Sequence, residues 1–227
     1  GVWRPLASSF PGIKHAMTPY PYRCPFKQPC DESCGEAFAR DLEDVISTTT
    51  NGRPAAFIAE SILGVGGYIV PPPGYFDRVR EICDRHGVLL VSDEVICAYG
   101  RIGRMFGCER YGYQPDIITS AKGLTSGYVP LGAMIVSDRI AEPFVGTGES
   151  FLHGITFAGH PVSCAVALAN LKIFEDEDIV GHVQANEVAF RAALDDLMDL
   201  PIVGDIRGEG YFYGIELVRD RDTRSSF

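Results

Sequence analysis

The chain has 227 residues, 46% of them hydrophobic, with 20 basic and 30 acidic side chains and a formal net charge of −10. That length supports a substantial core, and that charge excludes the basic face which nucleic acid or an anionic membrane requires. No apolar run reaches the roughly 18 residues of a membrane span; the opening Gly1-Val2-Trp3-Arg4 has no signal-peptide core, and seven scattered cysteines point to a reducing, cytoplasmic setting.

Residues 1–34 are rich in proline, cysteine and aromatics and read as an extended loop. Cys24, Cys30 and Cys34 fit no usual zinc spacing and no histidine completes them, so no metal is expected. Residues 36–47 place Phe38, Leu42, Val45 and Ile46 on one face, the pattern of an amphipathic helix. A short strand over 55–59 ends at Glu60. Gly64-Val65-Gly66-Gly67 lacks the spacing of a phosphate cradle and reads as a loop with unusual dihedrals. Residues 75–86 form a helix closed by Gly87. Strands follow at 88–92, 116–120 and 131–137; the first two are apolar, β-branched runs of the kind buried on both faces of a parallel sheet. Residues 161–174 make an apolar helix with proline in its first turn. Glu175-Asp176-Glu177-Asp178 is a solvated acidic junction. A second long helix spans 179–200, a strand spans 211–218, and residues 219–226 form a polar, mobile end.

Two strand ends carry the chemistry. The run from Val88 stops at Asp93-Glu94, and the run from Asp116 stops at Ala121-Lys122-Gly123. Ligands of open α/β sheets sit outside the carboxyl ends of the strands. One acid and one amine are therefore expected on the same rim. That pair suits a pyridoxal phosphate enzyme: the lysine forms a Schiff base, and the acid keeps the pyridine nitrogen protonated. Such a lysine attacks as a neutral amine, so burial is expected for it. On spacing alone, a surface lysine and a capping carboxylate are the commoner occupants of these positions.

The resemblance is carried by six motifs in order: Val91-Ser92-Asp93-Glu94-Val95, Tyr99-Gly100-Arg101-Ile102-Gly103-Arg104, Pro115-Asp116-Ile117, Ala121-Lys122-Gly123-Leu124, Pro130-Leu131-Gly132-Ala133, and Gly154-Ile155-Thr156-Phe157 with Gly159-His160-Pro161; Ile206-Arg207-Gly208-Glu209-Gly210 continues it. Together they resemble the class III (omega-type) aminotransferases of fold type I. This implies an α/β fold with a mostly parallel, mixed sheet. Residues 1–165 would belong to the large cofactor-binding domain and 166–227 to a smaller α+β C-terminal domain. Members of that family are much longer, so the chain is expected to be a central-to-C-terminal portion.

The implied function is pyridoxal 5'-phosphate-dependent transfer of an amino group from an amine or omega-amino acid to a keto acid such as pyruvate or 2-oxoglutarate. Another class III reaction (mutase, decarboxylase or racemase) or an inactive fragment with a structural role are the alternatives. A nucleotide-binding α/β protein is disfavoured by the missing glycine motif. The resemblance implies Lys122 as the catalytic, cofactor-bound lysine, Asp93 on the pyridine nitrogen and Val95 on the ring face. Thr156 would bind the cofactor phosphate of the neighbouring subunit, making a homodimer with shared sites. Glu60 would face the substrate pocket, and Arg207 would be structural. The sequence departs from the family at Ile96, where glutamine is common, and at Ser61, where proline is usual. The family's phosphate-cradling turn, ring-stacking aromatic and carboxylate-binding arginine have no counterpart within these residues.

Overall fold

Four strands form the central sheet: β1 (Ala56–Glu60), β2 (Leu89–Asp93), β3 (Ile117–Ser120) and β4 (Ala133–Val136), adjacent in that order. The structure is a computed structural model describing residues 12–26, 31–50 and 52–227; Cys30 and the first eleven residues of the expected N-terminal loop lie outside them. β1 runs parallel to β2 with Glu60 beside Asp93, and β2 runs parallel to β3 with Asp93 beside Thr119. β4 returns antiparallel to β3. The sheet is thus mixed and mostly parallel, as expected.

Helix α1 (Glu32–Thr49) starts earlier than its apolar pattern suggests. The Asp31 carboxylate accepts the Ser33 N–H at 2.9 Å and so caps the first turn. The end of the expected loop is therefore helical, because a polar first turn leaves no periodic signal. Helix α2 (Tyr75–His86) is the crossover between β1 and β2 and stops at Gly87, which takes the left-handed conformation (φ 65°) that glycine adopts without strain. Phe38, Leu42 and Ile46 of α1 pack with Phe76, Val79 and Ile82 of α2 and with Leu90 of β2. At about 1.5–3 kcal/mol for each large apolar side chain buried, this layer dominates the stability of the sheet.

Burial on both faces is realised only by β2, whose Leu90, Val91 and Ser92 are all buried. β3 is half-buried, and Ile58 of β1 and Met134 and Ile135 of β4 are exposed. β1 and β4 are the edge strands among the described residues.

Helices α3 (Pro161–Asp176) and α4 (Ile179–Asp195) follow the sheet. The expected helix to residue 200 instead gives way to a 3-10 turn, Asp196–Asp199. Asp195, Asp196 and Asp199 crowd negative charge where the helix dipole is already negative. A separate hairpin, β5 (Val203–Glu209) and β6 (Phe212–Leu217), ends the fold. β5 escapes sequence reading because Gly204, Asp205, Arg207 and Gly208 interrupt any apolar alternation.

One carboxylate fastens this hairpin to distant chain. Glu216 accepts from Tyr20 Oη at 2.5 Å, from Arg23 Nη2 at 2.7 Å and from Arg207 Nη2 at 2.8 Å. Burial alone would raise its pKa, but these donors hold it below the usual carboxylate range. Arg207 Nε also donates to the Gly67 carbonyl at 2.9 Å, so Arg207 has the structural place expected of it. Among the described residues no helix is long and apolar enough to cross a membrane.

Candidate active site

Strand register assembles the rim. Glu60 and Asp93 end adjacent parallel strands, and Lys122 lies two residues beyond the end of β3. Adjacent strands are about 4.8 Å apart, so the three side chains emerge within one small region.

Asp93 is half-buried, and its Oδ1 accepts the N–H of Val95, itself half-buried, at 3.1 Å. The next residue turns inward. Glu94 is 0% exposed, and its carboxylate accepts from Gly107 N–H and Cys108 N–H at 2.8 Å each, from Ser92 Oγ at 2.8 Å and from Ser61 Oγ at 3.1 Å. Tyr113 Oη bridges the two serines at 2.7 and 2.9 Å. Ser61, the departure from the family's proline, is thus used as a donor. This network welds β1, β2 and the helical turn Gly107–Arg110 together beneath Asp93. A buried charge is tolerated only when it is fully satisfied in this way.

Glu60 Oε2 accepts the Gly64 N–H at 2.8 Å. A Cβ on Gly64 would stand 2.9 Å from Ile96 and 3.1 Å from this carboxylate, so glycine permits the close approach. Burial raises the Glu60 pKa and Asp93 pushes it the same way, against the Gly64 bond and the Lys122 charge. Asp93 and Lys122 are therefore both within electrostatic reach of Glu60. The folded state holds its proton above the pH at which the unfolded chain releases it. Stability should thus fall as pH rises from the unfolded pKa, about 4.3, through the raised folded value. Glu60→Gln is expected to raise the melting temperature near neutral pH but not below roughly pH 4. A melting series across pH checks this, and equal gains at both ends would refute it.

Lys122 opens the 3-10 turn Lys122–Leu124 and is exposed, which corrects the expectation of burial: the turn carries it past the strand end onto the rim. Its φ of 39° is left-handed, a strain of about 1–2 kcal/mol for a residue with a side chain. Four contacts hold this turn. Tyr99 Oη bonds Ser120 Oγ at 2.9 Å, and the Tyr99 ring lies so close that a Cβ on Gly123 would stand 3.0 Å from it. Asn170 Nδ2, from α3, donates to the Gly123 and Leu124 carbonyls at 2.8 and 3.1 Å. Tyr99, Asn170 and the Glu94 network were not singled out from the sequence. The available signal was an uncharged polar residue inside the apolar run of α3 and a second acid after Asp93.

Thr156 is not brought to this rim by any described contact. It lies on an exposed stretch with Leu152, Ile155 and Phe157, which are 96%, 69% and 75% exposed. A cleft of about 460 Å³ runs between residues 12–19, α1 and β1 and reaches Glu60, but not Asp93 or Lys122. No cluster of three metal-capable side chains gathers among the described residues.

A carboxylate and a primary amine on neighbouring strand ends, with the carboxylate fixed by a backbone N–H, fit a cofactor that carries a pyridine nitrogen and an aldehyde. Fold and rim together suit an α/β protein of the pyridoxal phosphate-binding kind. Residues 3–227 match the family described as Aminotransferase class-III, and the chain belongs to that family. It is 59% identical over 206 residues to a probable aminotransferase of Mycobacterium tuberculosis, covering 91% of this chain and 44% of that protein. It is 43% identical over 218 residues to the putrescine–pyruvate aminotransferase of Pseudomonas aeruginosa, covering 96% and 47%. A thermostable (S)-enantioselective omega-transaminase from Thermomicrobium roseum superposes with a TM-score of 0.92 at 41% identity, covering 99% of this chain and 50% of that one. The chain spans about half the length of these relatives.

Proposed function

We propose that the protein transfers amino groups with pyridoxal 5'-phosphate, from an amine or omega-amino acid to a keto acid of the pyruvate or 2-oxoglutarate type. The observation that carries this is the convergence of Asp93, Glu60 and Lys122 at three adjacent strand ends. Bound there, the cofactor supplies the electron sink. Lys122 holds it covalently and moves the proton at the substrate carbon. Asp93 would hold the pyridine nitrogen, and Val95 would lie against the ring. Glu60 faces the substrate pocket, a reading supported by its place on the strand end beside Asp93.

Thr156 is proposed to serve the phosphate of a neighbouring subunit, in a homodimer with shared sites. Support comes from the exposed apolar side chains around it, which on a solvated surface mark an interface. The domain division at 165/166 is proposed with its junction inside α3, and the two separate sheets on either side support it. Cytoplasmic residence is proposed from the scattered cysteines.

The test is borohydride reduction of the purified protein with peptide mapping. One phosphopyridoxyl group on Lys122, with amine-to-pyruvate transfer before reduction, is the expected result; an unmodified Lys122 overturns the reading. Asp93→Asn should lower kcat/KM by about a hundredfold or more, the scale of removing a preorganised charge at a reacting centre. Steady-state kinetics check that, and an unchanged rate would remove Asp93 from the site.

A further inference from the structure

We propose that Asn170 and Tyr99 are positioning residues for Lys122, clamping its turn so that the amine is presented to the cofactor before the cofactor binds. The inference rests on the role proposed above for Lys122. Asn170 sits on α3 and is nine-tenths buried, an unusual place for an amide unless its hydrogen bonds are made. All three that it makes go to one segment. Nδ2 donates to the carbonyls of Gly123 and Leu124, and Oδ1 accepts from Ser126 Oγ at 2.8 Å. These residues lie one, two and four positions past Lys122.

Tyr99 grips the same turn and packs beside α3, its ring 6.4 Å from that of Phe174. Its hydroxyl bonds Ser120, two residues before Lys122, and its ring closes on Gly123, one residue after. Tyr99 itself has a left-handed φ of 56°, and its N–H donates to the Met105 carbonyl at 2.6 Å. Lys122 and Ser126 are also left-handed, with φ of 39° and 49°. Three strained residues with side chains thus meet at one turn. Strain of this kind persists only where the surroundings over-determine it, and it concentrates where geometry must be held. The two grips belong to different elements, and both miss the lysine side chain. What they fix is the backbone from which the amine projects.

The experiment uses the purified protein stripped of cofactor and then given pyridoxal phosphate. Two quantities are read: the rate at which Lys122 becomes trappable by borohydride, from peptide mass, and the melting temperature of the cofactor-free protein. Asn170→Leu, which keeps the volume and removes both donations, should slow trapping by about tenfold or more, the scale of losing preorganised approach. Tyr99→Phe, which keeps the ring and removes only the bond to Ser120, should slow it by about threefold. Tyr99→Phe also keeps the test valid if Asn170→Leu folds poorly. Lowered melting with trapping as fast as wild type in both variants would mean a purely structural role and overturn the proposal. If the wild-type protein is never trapped at Lys122, the function proposed above falls, and this inference falls with it.

Discussion

Replacing Lys122 by alanine is expected to cut the proposed amino transfer by at least about a thousandfold, since the covalent link and the proton carrier proposed for it would both be lost. Lys122→Arg should be nearly as inactive. Arginine keeps the positive charge beside Glu60 and Asp93 but does not deprotonate in proteins, so it offers no nucleophile. Activity retained by the arginine variant would show that the charge at this position matters and the amine does not. Lys122→Gly makes a sharper prediction. The φ of 39° strains lysine but not glycine. The glycine variant should therefore be inactive and yet more stable by up to about 1 kcal/mol. Denaturant unfolding beside the activity assay reads both effects. A less stable glycine variant would mean that the lysine stem contributes packing that its exposure does not suggest.

The second large effect belongs to a residue that touches no reactant. Glu94→Ala would leave two backbone amides and two serine hydroxyls inside the fold without their acceptor. At about 1–3 kcal/mol for each buried donor left unsatisfied, the change costs about 3 kcal/mol or more, a large part of the stability of an ordinary domain. Urea unfolding should show the loss. Glu94→Gln should recover only part of it, because its amide nitrogen must face at least one donor. A loss under about 1 kcal/mol for Glu94→Ala would mean that water takes over the vacated bonds.

The elements with strong local signals were legible in the sequence. The apolar runs of β2 and β3, the faces of α1 and α2 and the glycine that ends α2 all follow from periodicity and turn chemistry. The placement of Asp93 and Lys122 at neighbouring strand ends was legible as well, because apolar runs show where strands stop. What stayed hidden depends on tertiary contact. β5 has no alternation of its own and is made a strand by pairing with β6. Glu94 looks like a twin of Asp93, and only the pleat sends one carboxylate to the rim and the other into the core. Asn170 lies forty-eight residues from Lys122 in the chain, and no local pattern announces that the two regions meet. The exposure of Lys122 was misjudged because the 3-10 turn after β3 leaves no trace in composition.

The shared grip on Glu216 bears on how the protein acquires its fold. Tyr20 and Arg23 reach it across 196 and 193 residues of sequence. Closing so long a loop carries an entropic penalty that the bonds to Glu216 must offset. Although the Met17 N–H reaches Asp41 of α1 and Ala16 and Cys24 pack on the core beside it, the clasp on Glu216 cannot close early. It must wait until the β5–β6 hairpin exists to receive it. On the ribosome that hairpin follows the other described strands, so the clasp on Glu216 closes after they have formed.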